Sequence, residues 1–173
     1  MGGNYLMLGV DKTLLNLEPI FFLKNFKRDL NNVNGIKFQY LGKDYLLAAR
    51  PRIVDFLNEV SKDFILVAYS DMPKHITKAK LKMLNLNKYF KYVLGNECLV
   101  KNKKSIVKAA ECLNVDPKEI IVIDNSSVNC IDKDFFKIKP FLIGRDVDYE
   151  SEDHDDNLFG ILRILNLSKV VVR

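Results

Sequence analysis

An α/β fold built on a mainly parallel sheet is what this sequence predicts, and three observations carry the prediction. Short apolar runs of β-forming length open at Tyr5, at Phe64 and at Ile120. They are continuous rather than alternating, as strands covered on both faces are. Each run passes directly into polar residues, at Asp11, Ser70 and Asp124. Segments with helical spacing stand between the runs, and strand–helix repetition of this kind builds right-handed parallel units. Ligands of such sheets sit outside the carboxyl ends of the strands, so the three polar ends converge on one site.

The chain of 173 residues has the length of a single domain, read as 1–173, with enough apolar residues for a substantial core. Its net charge of +5 comes mostly from dispersed lysines, which permits an acidic or phosphorylated partner without specifying one. Cys98, Cys112 and Cys130 are odd in number and far apart. They read as reduced thiols of a cytoplasmic or nuclear protein, neither a disulfide frame nor a zinc site. No signal peptide, transit segment or membrane-spanning apolar run is expected. Met1-Gly2-Gly3 is followed by Leu6 where a myristoylation motif needs Ser or Thr.

In chain order, residues 14–26 read as a loop with a helical turn, and 31–35 (Asn-Asn-Val-Asn-Gly) as a turn cluster. Residues 36–40 and 45–49 form a β-hairpin beside the main sheet, the first run alternating apolar and polar. Pro51 suits a helix start, because its missing N–H is no loss there. That helix runs to about Lys62 with Ile53, Phe56, Leu57 and Val60 on one face. Residues 64–68 are a second buried strand.

A helix over 73–84 is expected to turn Ile76, Ala79 and Met83 inward and to leave Lys74, Lys78 and Lys82 as a solvated stripe, the alternative being a patch for phosphate or an acidic peptide. Residues 89–93 and 98–100 are short strands. Ser105 caps a helix marked by Ile106, Ala109, Ala110 and Leu113. Ile120–Ile123 is the third buried strand. A strand over 137–142, an acidic loop over 146–156 and a helix over 156–165 complete the chain. His75 and His154 have no base or ligand partner in sequence and read as surface residues, and the acidic loop matches no calcium-loop spacing.

The segment Leu8-Gly9-Val10-Asp11-Lys12-Thr13-Leu14-Leu15 resembles the first motif of the haloacid dehalogenase superfamily, D-x-D-x-T followed by two apolar residues. Arg50-Pro51 with Phe56-Leu57 is similar to the R-P-x-x-x-x-F-L signature of the RNA polymerase II C-terminal-domain phosphatases, whose domain is also called NLI-interacting factor. The hairpin with Gly42, Asp124-Asn125-Ser126 and Ile138-Lys139-Pro140-Phe141-Leu142 are similar to the same family, so the resemblance covers essentially the whole chain. It implies a Rossmann-like parallel sheet of the haloacid dehalogenase type, with a small β-hairpin insertion after the first motif.

In that family the first Asp of the motif is the nucleophile and the second the general acid and base. Gly9 stands at the nucleophile position here, with Asp11 and Thr13 retained. The resemblance further implies a phosphate-binding hydroxyl at Ser70 and metal ligands at Asp11 (through its carbonyl), Asp124 and Asn125. The cofactor is Mg²⁺ if a cation still occupies the site, and otherwise none.

The phosphate-neutralising lysine has three candidates. Family spacing back from Asp124 reaches Lys108, but Lys108 lies off the apolar stripe of its helix; Lys103 and Lys104, just ahead of that helix, are favoured. A glycine offers phosphorus no attacking atom, so the function expected is that of a pseudophosphatase recognising a phosphorylated or extended protein segment. The alternatives are an active Mg²⁺-dependent phosphoserine/phosphothreonine phosphatase acting on a segment like the polymerase C-terminal domain, with Asp11 or Asp71 compensating, and a protein-import scaffold subunit. No base-reading motif is present.

Overall fold

The fold is described from a computed structural model, which covers residues 4–20, 35–125, 130–132 and 160–161. Among the described residues four parallel strands form the main sheet in the order β6-β5-β1-β9, with β1 (Tyr5–Gly9) central between β5 (Ile65–Tyr69) and β9 (Ile120–Ile123). Tyr5 stands opposite both Ile65 and Ile120, which brings the C-terminal ends of the three strands to one level. β6 (Tyr92–Leu94) pairs with β5 and is the edge among the described residues. Alternate side chains of β1 go to opposite faces. Leu6 and Leu8 join one core cluster and Met7 the other.

The first cluster is completed by helix α1 (Ile53–Val60) and helix α2 (Lys74–Met83). The second is completed by helix α3 (Ile106–Leu113), giving three layers. On α1 the apolar face is the expected one, Ile53, Phe56, Leu57 and Val60, all buried. Burial of each such side chain contributes about 1.5–3 kcal/mol before chain entropy is set against it. The helix opens two residues later than Pro51 suggests, because Arg52 takes a left-handed conformation (φ 55°) and Ile53 is the first helical residue. Ser105 caps α3 as expected, its Oγ accepting from the Lys108 amide at 3.1 Å.

The insertion after β1 is a three-stranded antiparallel sheet in the order β2-β4-β3, made of β2 (Leu15–Pro19), β3 (Gly35–Tyr40) and β4 (Lys43–Ala49). The hairpin is therefore present, but residues 15–19 are a strand and not the expected loop and helical turn. Leu15 and Leu17 alternate with Asn16 and Glu18, and the pattern becomes a strand because β4 supplies a partner from Ala49 to Tyr45. Pro19 is tolerated because β2 is an edge strand among the described residues. The β3–β4 turn has positive φ at both Leu41 (48°) and Gly42 (71°), as a two-residue hairpin loop requires.

Three further expectations are corrected. On α2 the buried residues are Thr77, Lys80 and Leu81, whereas Ala79 and Met83 are exposed and Ile76 is half-buried. The helix is phased by Leu81 and by a polar partner for Lys80, described below. The strand expected at 89–93 is a 3₁₀ turn over Asn87–Tyr89 followed by β6 at Tyr92–Leu94. The strand expected at 98–100 begins as a 3₁₀ turn, Asn96–Cys98, and only β7 (Leu99–Val100) is extended, pairing with β8 (Lys103–Lys104).

The strand over 137–142, the acidic loop with His154, and residues 1–3, 21–34 and 126–127 lie outside the described residues. Of the helix expected over 156–165, Gly160 and Ile161 are described; both are helical, and Ile161 is buried in the first cluster. No helix of the described residues is long and apolar enough to cross a membrane.

Candidate functional site

Parallel register delivers Gly9, Ser70 and Asp124 to the same edge of the sheet, since they end or immediately follow β1, β5 and β9. A turn then folds the chain back over that edge: Leu14 and Leu15 donate backbone hydrogen bonds to the Val10 carbonyl at 3.0 and 3.1 Å. This places Asp11 and Thr13 on either flank of β1. The five residues are thus gathered by backbone pairing, and their side chains form two clusters.

On the β5 side, the Ser70 hydroxyl donates to Asp11 Oδ2 at 2.6 Å and accepts from the Met72 amide at 3.0 Å. The other Asp11 oxygen is ion-paired with Lys80, which reaches up from α2. Lys80 is 6% exposed at its side chain and Asp11 32%, so the carboxylate is open to water while the ammonium is not.

On the β9 side, Asp124 Oδ2 accepts from Lys104 Nζ at 2.5 Å, and both side chains are largely buried. Lys104 also lies 5.6 Å from the centre of the Tyr69 ring. Behind it, the Tyr69 hydroxyl donates to the Cys98 carbonyl at 2.7 Å and accepts from the Ser105 amide at 3.1 Å. Burial raises the ionisation of that hydroxyl well above the ordinary tyrosine range and pushes the Cys98 thiol up to about 12. Thr13 fastens the turn after β1 to this flank: its hydroxyl accepts from the Asn125 amide at 3.0 Å and donates to Asn125 Oδ1 at 3.3 Å.

Gly9 lies between the two clusters. A Cβ built there would overlap Asp124 Oδ2 and stand 2.9 Å from both Asp124 Cγ and Thr13 Oγ1. The space that a side chain at position 9 would enter is therefore filled by the Asp124 carboxylate, which leans across it while paired to Lys104.

Of the three lysines expected near phosphate, Lys104 reaches the mouth of the sheet. Lys103 is exposed, and Lys108 points along α3 to Glu111, 2.8 Å away. The ladder between β7 and β8 makes the choice, because Lys103 and Lys104 alternate sides of a two-residue strand. Two groups escape a sequence reading. Lys80 counts as polar in any amphipathic pattern, and its in-phase spacing with Thr77 and Leu81 is the one signal of its burial. Asp132 accepts from the Ser105 hydroxyl and from the Val107 amide (3.2 Å), holding the start of α3 in place.

Beyond the Asp11 main-chain carbonyl, the expected ligand set offers a divalent cation side chains that already have partners. Oxygens of both carboxylates are already engaged by ammonium groups, position 9 adds none, and Asn125 contributes only an amide. A hard divalent ion takes six or more oxygen ligands and ordinarily includes free carboxylates among them. Among the described residues no group of three or more His, Cys, Asp or Glu side chains is arranged to hold a metal.

Comparison with known proteins agrees with this geometry at the level of the fold. The family model described as NLI interacting factor-like phosphatase matches residues 4–171. No curated protein sequence matches the chain. Among solved structures, fission yeast RNA polymerase II CTD phosphatase Fcp1-R271A bound to beryllium fluoride superposes with a TM-score of 0.57 at 18% identity, over 95% of this chain and 51% of that one. A second structure of Fcp1, described as an essential RNA polymerase II CTD phosphatase, gives 0.57 at 20% identity over 94% and 49%. A haloacid dehalogenase-like hydrolase from Streptococcus pneumoniae gives 0.51 at 14% identity over 73% and 78%. The chain spans about half the length of the Fcp1 chains it matches. With the family matched along nearly its whole length and the parallel sheet shared with haloacid dehalogenase-type hydrolases, this chain belongs to the NLI interacting factor-like phosphatase family.

Proposed function

We propose that this chain is a pseudophosphatase: a phosphatase-like domain that recognises a phosphorylated or extended protein segment without turning it over. The observation that supports this reading is the filled space at Gly9. A phosphoryl group moves to a protein through an atom able to bond to phosphorus, and glycine has none. The neighbouring Asp124 carboxylate occupies the vacated volume and is neutralised there by Lys104. The opposite flank presents a carboxylate that water can reach, Asp11, held in place by the Ser70 hydroxyl and the Lys80 ammonium. Recognition of a segment like those of the polymerase C-terminal domain belongs to this proposal through family membership alone.

That same open carboxylate favours the second reading, an active phosphatase that uses Asp11 in place of the missing group. One experiment separates the two: Mg²⁺-dependent phosphate release from a generic phosphoester by the unmodified chain, by Gly9→Asp and by Asp11→Asn. The pseudophosphatase reading expects turnover in Gly9→Asp at least a hundredfold above the unmodified chain. Robust release by the unmodified chain, abolished in Asp11→Asn, establishes the second reading and overturns the first.

A further inference from the structure

The edge of the sheet away from the mouth carries features that the site at Gly9 does not use. A groove of about 470 Å³ runs along β6, between α2 on one face of the sheet and the C-terminal end of α3 on the other. Its rim is cationic, with Lys74, Lys78 and Lys82 from α2 and Lys91 from the residue before β6. All four are exposed. Its floor is apolar, with Phe90, Val93 and Leu113 among its lining residues.

We infer that this groove takes up an extended acidic protein segment, laid along β6 as an added strand, with an acidic side chain at every second residue. The inference goes beyond the proposal for Gly9 and holds whether or not the mouth of the sheet turns over phosphate.

Spacing carries the argument. Lys74, Lys78 and Lys82 are four residues apart on a helix, a rise of about 6 Å per step. In an extended strand, side chains on one side recur about every 6.6 Å. The two repeats differ by less than 1 Å per step, well within the reach of a lysine side chain, so successive acids of one strand meet successive lysines. The backbone supplies the second element. β6 pairs with β5 on one side and is the edge of the main sheet among the described residues. Edge strands accept extended segments through main-chain hydrogen bonds. A peptide fits better than a single-stranded nucleic acid, which needs open aromatic faces for base stacking. Phe90 is buried, and the Tyr92 ring is covered by the Lys91 ammonium 5.6 Å from its centre.

Cys112 provides an internal reporter. It lines the groove and is exposed, whereas Cys98 and Cys130 are buried. The test uses a fluorescein-labelled ten-residue peptide of alternating aspartate and threonine, and a second peptide of the same composition with its aspartates in one block. Anisotropy is expected to show the alternating peptide binding at least fivefold more tightly. At saturation it should slow alkylation of Cys112 by a maleimide at least fivefold. The double charge reversal Lys78→Glu/Lys82→Glu should weaken binding at least tenfold. Both positions are exposed and lie outside the cluster at Gly9, and protection of Cys112 in the unmodified chain gives a result independent of how the variant folds. The inference is overturned by absence of binding, by equal affinity for the two peptides, or by unprotected Cys112 at saturation. Tighter binding of a ten-nucleotide oligothymidylate than of the alternating peptide overturns it in favour of nucleic acid.

Discussion

The C-terminal end of β1 is flanked by Asp11 with Lys80 on one side and by Asp124 with Lys104 on the other, and water reaches the two pairs unequally. The Asp11 side chain is 32% exposed, the Asp124 side chain 5%. The pairs are alike in chemistry, one carboxylate and one ammonium each, so the difference comes from what stands beside them. Asp124 adjoins Gly9, and with no side chain there the carboxylate settles into the gap and is covered. Asp11 lies beyond the strand, in a turn, and keeps one face in solvent. The Asp124 flank is therefore closed, its carboxylate lying against Gly9 and paired with Lys104, whereas the Asp11 flank keeps part of its carboxylate in water.

If the closed flank is as described, its pair is the more expensive to break. Replacing Lys104 with Met removes the ammonium paired with a buried carboxylate, which costs on the order of 3–5 kcal/mol. Urea melts of the purified variant check this, and a loss below about 1 kcal/mol would show that Asp124 is better hydrated than its burial indicates. The next largest effect is expected from Gly9→Asp. Its carboxylate arrives against Asp124 and displaces it, with a loss of roughly 2–3 kcal/mol in metal-free buffer. The three carboxylates then present an oxygen set that a divalent ion can use, so Mg²⁺ should recover most of the loss in Tm. The unmodified chain should shift by no more than about a degree under the same titration. Equal Mg²⁺ shifts in the two proteins would erase the distinction between the flanks.

Much of this arrangement is legible in the residues themselves, because parallel strands put their C-terminal ends at one level. Asp11, Ser70 and Asp124 could be placed at one edge of the sheet from three apolar runs alone. The α1 face and the Ser105 cap are local patterns and equally readable. What stayed hidden depends on partners distant in sequence. Lys80 is buried because Asp11 receives it from 69 positions away, and no amphipathic count scores a lysine as inward. β2 becomes a strand only where β4 can pair with it. That Lys104 turns to the mouth of the sheet while Lys103 is exposed rests on a two-residue ladder, shorter than any periodicity can register.

The open flank supplies the contrasting measurement. Lys80→Met also removes the ammonium of a pair, but Asp11 retains water and the Ser70 hydroxyl, so the loss should be about 1–2 kcal/mol. A loss equal to that of Lys104→Met, read from the same urea melts, would mean that Asp11 is as enclosed as Asp124. The two flanks would then no longer differ in their access to a ligand.

The smallest effect concerns the wall behind the closed flank, and its sign follows from burial. The Cys98 thiol is pushed up to about 12 by desolvation, while in the unfolded chain it ionises near its ordinary value of about 9. Below pH 9 both states hold the proton and stability is at its full value. Between about pH 9 and 12 the unfolded chain gives the proton up while the native chain keeps it, so stability falls as pH rises. The buried Cys130 thiol and Tyr69 hydroxyl are shifted in the same direction and add to the fall. Urea midpoints taken from pH 7 to 10.5 should therefore be flat at first and then decline, with a shallower decline in Cys98→Ala. Identical slopes in the two proteins would place Cys98 in contact with water, and the wall that keeps Lys104 and Asp124 enclosed would have to be drawn elsewhere.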